Sequence, residues 1–264
     1  MLKLSHVKKT FNKGTVTEKR ALTGVDLTLN DGDFVTVIGG NGAGKSTMLN
    51  AIAGVFQVDS GTITIDGQDV TKLPEHKRAA FLGRVFQDPM MGTAPTMQIE
   101  ENLALAARRG QPRGLKWGIT ALERADYREL LKTLDLGLED RLTAKVGLLS
   151  GGQRQALTLL MASLKQPKLL LLDEHTAALD PKTADKVLAL SDQIVQENNL
   201  TTLMITHNMK DAIAHGNRLI MMDAGRVVVD ISGEDKKKLT VPDLLALFSR
   251  ASGSDEANDK MLLS

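Results

Sequence analysis

The segment GGNGAGKST, residues 39–47, constrains the fold of this chain most because it fits the pattern G-x-x-x-x-G-K-[ST]. The apolar run DFVTVI before it predicts a strand, and the spacing of MLNAIAGVF after it predicts a helix ending near Gly54. Glycines let the backbone curl so that successive N–H groups and the positive end of the helix face a phosphate. Lys45 can then balance phosphate charge, and Ser46 can offer its hydroxyl to Mg²⁺. An accidental glycine-rich turn is the alternative, but this pattern arises by chance in only about one chain in a hundred of this length.

Composition narrows the class of protein further. The chain has 264 residues, a net charge of +1 and no cysteine. Its length suits one elaborated domain or two small ones, and the near-balanced charge argues against a general nucleic-acid coating protein. The lack of cysteine excludes disulfides, thiolate metal sites and cysteine nucleophiles. The sequence shows no signal-peptide pattern and no run of 18 apolar residues. If the protein works at a membrane, we therefore expect another chain to span it.

Apolar patterns along the rest of the chain indicate a mixed α/β fold. Alternation predicts three strands near the N-terminus, and Asp66-Gly67 predicts a hairpin of the primed type. Helical periods cover about residues 88–166, and fully apolar strands then return, each followed by a helical pattern, as parallel βα units require. The predicted strand segments are 2–6, 21–29, 33–38, 168–173 and 201–207, with a hairpin over 218–231. Thr240 is expected to cap a last short helix.

Two carboxylates follow the apolar run KLLLLD, residues 168–173. This strand pattern places Asp173 and Glu174 at the carboxyl edge of a parallel sheet, where such sheets bind ligands. Asp173 can hold Mg²⁺, and Glu174 can polarise a water molecule. Taken alone, the pair fits an ordinary strand end equally well. Together with the upstream phosphate loop, it predicts a phosphoryl-transfer site.

The segment LSGGQ, residues 149–153, opens the predicted helix RQALTLLMASL. The first-turn amides of such a helix are free to bind an anion. Capping alone would explain Ser150, but it would not explain Gly151 and Gly152 in a first turn, where they lower helix propensity. The segment is therefore predicted to bind an anion.

The three motifs, in this order, resemble the ATP-binding subunit of an ATP-binding cassette (ABC) transporter over nearly the whole chain. The resemblance implies a P-loop NTPase (RecA-like) parallel-sheet core with an antiparallel β subdomain and an inserted helical subdomain. It implies an ABC ATPase domain over residues 1–250, with its core at 1–87 and 166–250 and its helical subdomain at 88–165. Residues 251–264 are then a flexible tail.

The resemblance also assigns roles to single residues. Gln87 matches the family's glutamine loop, Asp180 its D-loop and His207 its switch histidine, whereas Phe11 matches an aromatic that stacks on adenine. Glu174, His207, Gln87 and Lys45 are the implied catalytic residues, and Ser46, Gln87 and Asp173 are the implied Mg²⁺ ligands. The implied ATP-binding residues of the same chain are Phe11, Gly40, Asn41, Gly42, Ala43, Gly44, Lys45, Ser46, Thr47 and Gln87.

Partners follow from the same resemblance. A second copy of the chain is expected to bind head to tail, so that each ATP also contacts Ser150, Gly151, Gly152, Gln153 and Asp180 of the other copy. A separate transmembrane permease and an extracytoplasmic substrate-binding protein are the other implied partners, and no nucleic acid is expected. The chain would then lie at the cytoplasmic face of the cell membrane. The stretches GTAPTMQIEENLALAARRG and LLDEHTAALDP are similar to amino-acid uptake ATPases, in particular of the tryptophan or tyrosine type.

Alternatives stay open at this point. The same cassette could serve an exporter or a non-transport membrane signalling complex, and a small-molecule kinase could also use the phosphate loop. Phe11 could pack rather than stack. His175, which replaces the commoner proline after the glutamate, has no assigned role. The basic stretch Arg108, Arg109, Arg113 and Lys116 beside Trp117 fits a solvated face better than a lipid or partner contact.

Overall fold

The computed structural model describes residues 1–111 and 118–252. In this part of the chain the strands are β1 (Leu2–Phe11), β2 (Lys19–Leu29), β3 (Phe34–Ile38), β4 (Ser60–Ile65), β5 (Gln68–Asp69), β6 (Leu82–Val85), β7 (Leu169–Asp173), β8 (Thr202–Ile205), β9 (Arg218–Asp223) and β10 (Arg226–Ser232). The helices are α1 (Lys45–Ala53), α2 (Glu75–Arg78), α3 (Ile99–Ala107), α4 (Ala121–Lys132), α5 (Gly151–Ser163), α6 (Pro181–Glu197), α7 (Met209–Ala214), α8 (Gly233–Lys237) and α9 (Val241–Ser252).

The main sheet has the strand order β10-β9-β3-β8-β7-β6. Its strands run parallel, except that β10 pairs antiparallel with β9 as the predicted hairpin. The strands β3 and β8 are buried along their whole length, which explains why their sequences are apolar on both faces. The carboxyl ends of β3, β7 and β8 meet at one edge of the sheet. The fold therefore brings the phosphate loop, Asp173 and His207 to the same edge.

A smaller antiparallel sheet lies beside the main one, with the order β2-β1-β4-β5. Asp66 and Gly67 join β4 to β5 with φ angles of 51° and 77°, and positive values at both positions are those of a type I′ turn. The predicted hairpin is confirmed. The prediction of an α/β fold with a parallel core and an antiparallel β unit is confirmed as well.

The chain leaves the main sheet after β6 and returns to it at β7. Helices α3, α4 and α5 lie between these strands and bury an apolar cluster of their own, which includes Ile99, Leu103, Leu131, Val146 and Leu157. A capping box starts α4 at Thr120 and another starts α5 at Ser150, because each N-cap side chain and its N3 partner satisfy two free amides. Within the described ranges, no helix has the length and apolar character needed to cross a bilayer.

The C-terminal elements pack back on the sheet. Thr240 and Asp243 exchange hydrogen bonds at the start of α9, as predicted for a capped helix. Lys236 carries a buried ammonium whose Nζ donates to the carbonyl oxygens of His215 and, at 3.0 Å, of Gly216. Both carbonyls follow α7, the helix that begins just after His207. Residues 253–264, most of the predicted tail, lie outside the described residues.

We expect Lys236 to make the protein more stable by about 2 kcal/mol at about pH 9.5 than at about pH 7. Burial lowers the pKa of Lys236 from its ordinary 10.5 to about 8, although the Asp192 carboxylate partly opposes this effect. Between these two pKa values the unfolded chain binds more protons than the folded protein, so the free energy of unfolding rises with pH. This contribution is lost as the pH falls through about 8. Denaturant unfolding of the unaltered protein and the Lys236→Met variant at both pH values measures it.

Lys237→Met is the matched control. Lys237 is exposed and pairs with Glu234 at 2.7 Å on the same helix. The Lys237→Met variant should keep the rise in stability, and Lys236→Met should lose it. The same pH dependence in the unaltered protein and Lys236→Met would show that the buried ammonium does not titrate in this window.

Candidate functional site

The segment from Gly39 to Thr47 forms a cradle between β3 and α1. Gly44 precedes the helix with a φ of 102°, and a Cβ atom there would lie 2.6 Å from the Ala21 carbonyl oxygen. Both facts explain why this position needs glycine. Among the described residues, no side chain caps α1 and no acidic residue lies in its first turn. The first amides of α1 are therefore available to an anion.

The cradle encloses about 190 Å³ and is lined by Lys19, Ala21, Gly40, Asn41, Gly42, Ala43, Gly44, Lys45, Ser46, Thr47 and Glu174. All the predicted phosphate-loop residues from 40 to 47 thus meet at one cavity, and Glu174 joins them from the end of the neighbouring strand β7. Sequence patterns did not indicate Lys19 and Ala21, which reach the cavity from β2. The hydrophobic pattern of the sequence does not indicate Lys19, because this residue follows an irregular loop and begins β2, the edge strand of the small sheet.

The ammonium of Lys45 is buried inside the cradle. Its Nζ donates to the carbonyl oxygens of Gly39 at 2.6 Å and Gly40 at 3.3 Å. Burial lowers the pKa of Lys45, and the carboxylates of Glu174 and Asp173 act in the opposite direction. A phosphate entering the cradle would give this ammonium a charged partner in place of two neutral carbonyls, which strengthens its hydrogen bonds.

The two carboxylates at the end of β7 differ in their surroundings. Burial raises the pKa of Asp173, whereas the Arg84 guanidinium, 3.5 Å away, is the largest effect that lowers it. Glu174 has a φ of 45°, in the left-handed region, and its backbone N–H donates to the Ile205 carbonyl at 3.0 Å. A β8 carbonyl therefore holds the backbone turn that directs the Glu174 side chain to the cradle.

His207 and Gln87 flank these carboxylates. The Nδ1 atom of His207 lies 3.8 Å from the Glu174 Oε2 atom, so both side chains can reach the same reacting group. Gln87 and Asp173 line a neighbouring groove of about 740 Å³, which also contains Asn50 and Arg84. Asp173 thus lines the groove, and the next residue, Glu174, lines the cradle.

The LSGGQ segment begins α5, away from the cradle. Ser150 caps the helix, and Gly151 is exposed. A Cβ atom on Gly152 would lie 2.2 Å from the Cγ2 atom of Thr183, so close packing of α5 on α6 requires glycine there. Asp180 caps α6 by accepting the Thr183 N–H at 3.1 Å. The described lining of the cradle includes neither the LSGGQ residues nor Asp180.

Phe11 lies at the end of β1, opposite Lys19 of β2. Its ring packs edge-on against Phe56, with the ring centroids 5.2 Å apart and an interplanar angle of 84°. This is the packing alternative considered for Phe11. Adenine stacking by the same ring stays a prediction.

His175, Arg108 and Arg109, which the sequence also singled out, have structural contacts. His175 is buried with its Nε2 atom 2.9 Å from Ser191 Oγ on α6, and burial lowers its pKa to about 4. Arg108 pairs with Glu123 at 2.8 Å, and Arg109 donates to the Ala162 carbonyl at 3.1 Å. Arg113, Lys116 and Trp117 lie outside the described residues.

The fold and the cradle define an ATPase built around a phosphate-binding loop. Residues 22–177, more than half of the chain, match the family described as ABC transporter. The chain belongs to the ABC transporter family, and it is an ATP-binding, ATP-hydrolysing subunit of that family.

Similar proteins agree with this assignment. A tyrosine transport ATP-binding protein of Clostridioides difficile is 46% identical over 95% of this chain and 100% of its own length. A methionine import ATP-binding protein of Rhizobium johnstonii is 38% identical over 86% of this chain, which spans only 60% of that longer protein. A solved dimer of an ATP-binding cassette in a post-hydrolysis state, bound to ADP and Pi, is 32% identical. It covers 88% of this chain and 98% of its own length with a TM-score of 0.75.

Proposed function

We propose that this protein powers the import of an amino acid, of the tyrosine type, through a separate membrane permease. The observation that carries this proposal is the full-length similarity to a tyrosine transport ATP-binding protein at 46% identity. Methionine import by another relative supports the broader class of amino-acid uptake. The chain offers the phosphate cradle as the site of ATP hydrolysis, and the cargo site belongs to other subunits.

The active unit in this proposal is a head-to-tail pair of chains. The start of α5, where Ser150 and Gly151 are exposed, can bind an anion, but the segment Ser150 to Gln153 does not line the cradle of its own chain. A second copy can bring these residues and Asp180 to the γ-phosphate side of an ATP held in the first cradle. ATP then stabilises the pair because it contacts both chains, and hydrolysis removes that bridge. The dimeric state of the similar cassette bound to ADP and Pi supports this arrangement.

Mg²⁺ is the metal that fits the oxygen groups of the site. Ser46 offers a hydroxyl, Asp173 a partly buried carboxylate and Gln87 an amide oxygen, and hard cations prefer such ligands. Across the described ranges, no three His, Cys, Asp or Glu side chains are grouped to hold a metal by themselves. This agrees with an ion that arrives with the nucleotide, because Mg²⁺ is usually bound by one or two carboxylates plus substrate phosphates. When bound, it would neutralise charge on the β- and γ-phosphates.

Hydrolysis then proceeds by attack of water on the γ-phosphorus. Glu174 orients this water or accepts its proton, and the bond between the γ-phosphorus and the ADP oxygen breaks to give ADP and phosphate. Lys45 and the loop amides hold the phosphates, whereas Gln87 and His207 donate to the γ-phosphate or the attacking water. The 3.8 Å separation of His207 and Glu174 supports this joint role.

The remaining partners and boundaries belong to the same proposal. The groove beside Gln87, with the half-exposed Phe86 and the exposed Met91, is the surface that would receive the permease. The protein would lie at the cytoplasmic face of the membrane through this contact, and a substrate-binding protein would deliver the cargo outside. The core would comprise residues 1–87 and 166–250 and the helical subdomain 88–165. No nucleic-acid partner is proposed.

Uptake of labelled tyrosine by the native host tests this function. Cells in which the chain carries Lys45→Ala should take up tyrosine at least about tenfold more slowly, because the cradle loses its buried phosphate-binding cation. Lys3→Ala, an exposed lysine on β1, is the control and should leave uptake unchanged. Unlabelled tryptophan and methionine, added as competitors, report the range of side chains that are carried. Unchanged uptake together with slowed efflux in the Lys45→Ala cells would instead identify an exporter.

A further inference from the structure

Arg84 is a largely buried cation on β6, in a strand whose other residues are apolar or glycine. Its side chain is only 14% exposed. One terminal nitrogen, Nη2, donates to Asn50 Oδ1 on α1 at 2.6 Å and lies 3.5 Å from Asp173 Oδ2 on β7. The guanidinium carbon lies 4.4 Å from the centre of the Phe86 ring. Residues of α1 and β7, together with Phe86 just after β6, thus hold the guanidinium in one place.

This arrangement is costly for the fold. Among the described residues, the Nε atom of Arg84 is buried without a hydrogen-bond partner. Leaving a buried donor unpaired destabilises a protein, and so does the transfer of a charge out of water. Packing of this strand by itself needs no charge at this position. The position of the charge therefore calls for an explanation beyond packing.

The position of Arg84 relative to Asp173 supplies one. Arg84 and Asp173 line the groove together, whereas Ser46 and Lys45 line the cradle. Asp173, the carboxylate predicted to bind the metal, therefore has Arg84 as its ion-pair partner on the groove side. Among the described residues, Asp173 forms an ion pair with Arg84 and with no other side chain. A divalent cation bound to the same carboxylate would be repelled by the guanidinium.

We propose that Arg84 is a positioning residue of the Mg²⁺ site, which acts as a fixed counter-cation for Asp173 and weakens the hold of the site on Mg²⁺. This inference rests on the proposed metal ligands. Asn50 and Phe86 keep the guanidinium within reach of Asp173, and its fixed charge competes with the metal. The protein then retains Mg²⁺ only together with nucleotide phosphates, and the ion leaves when the phosphates leave.

The test compares ATP binding with and without the metal. In the full-length Glu174→Gln chain, which should not turn ATP over, the dissociation constant of ATP is measured by equilibrium dialysis in excess Mg²⁺ and again in EDTA. The dissociation constant in EDTA divided by that in Mg²⁺ reports how strongly the site couples ATP to Mg²⁺. Arg84→Met should raise this ratio by about tenfold, because the competing charge is gone. Arg84→Gln, which can still donate to Asn50, should raise it similarly if the methionine variant does not fold.

Two matched variants separate charge from packing. Arg84→Lys keeps the charge and should change the ratio by less than about threefold. Arg109→Met removes another partly buried guanidinium, one that bonds a carbonyl rather than a carboxylate, and should leave the ratio unchanged. An unchanged or lowered ratio in a folded Arg84→Gln variant would overturn the inference. Failure of the chain with Arg84 intact to bind ATP in Mg²⁺ would instead overturn the proposed function, so the two failures are distinguishable.

Discussion

Replacing Glu174 by Gln is expected to lower ATP turnover by at least about a hundredfold while ATP binding changes by less than about threefold. The side chain lines the cradle beside Lys45 and Ser46, where it can reach a water next to the γ-phosphate. Glutamine keeps the size and one oxygen of the side chain but cannot accept the proton of the attacking water. Phosphate release measures turnover, and equilibrium dialysis with Mg-ATP measures binding.

The same variant also reports on assembly. Because the Glu174→Gln variant should bind ATP without hydrolysing it, sedimentation should show a dimer with Mg-ATP and a monomer without nucleotide. Glu197→Gln is the control for a neutralised glutamate, since Glu197 is exposed at the end of α6, and it should hydrolyse ATP at the normal rate. Turnover in Glu174→Gln within a few-fold of the unaltered protein would exclude Glu174 as the catalytic base. A monomer at saturating ATP would mean either that pairing needs the permease or that the head-to-tail arrangement is wrong for this chain.

Local patterns predicted the elements of the site well because each depends on neighbours in the sequence. The phosphate loop follows from its glycines between a strand and a helix, and α1 ends at Gly54 as predicted. The turn at Asp66-Gly67 depends on two adjacent residues that tolerate positive φ. The strand that ends at Asp173 was evident from four consecutive leucines followed by the aspartate, and the structure places these five residues in β7. Each of these signals lies within about ten residues of the feature it predicts.

Contacts between distant segments could not be predicted in the same way. Arg84 is separated by 34 residues from Asn50 and by 89 from Asp173, and a single sequence does not show which strands pair. The order β10-β9-β3-β8-β7-β6 decides that β6 lies next to β7 and therefore that Arg84 meets Asp173. No strand was predicted over residues 82–85, so a lone charge among apolar neighbours was the only available signal for Arg84. Similarly, the packing of Gly152 on Thr183 became evident only once α5 and α6 were placed together.

Mixing two inactive variants should restore ATP turnover if each ATP lies between two chains. Lys45→Ala removes the cradle's ammonium but leaves the start of α5 intact. Gly151→Asp leaves the cradle intact and places a negative charge where the γ-phosphate of the partner would bind. Gly151 is exposed, and among the described residues an added Cβ would meet the Leu179 side chain at 3.2 Å. Aspartate is favourable in the first turn of a helix, so the variant should fold.

Each variant alone should lose at least about a hundredfold in turnover, because every site in its dimer is defective. In an equal mixture about half of the dimers are mixed and carry one intact site, so phosphate release should recover to about a quarter of the normal rate. The double variant Lys45→Ala, Gly151→Asp is the control, since pairing with the unaltered chain gives it no intact site. When the double variant is mixed with an equal amount of the unaltered chain, the turnover per unaltered chain should fall to about 50% of its normal value. Turnover per unaltered chain that does not change would mean that each ATP is hydrolysed within a single chain.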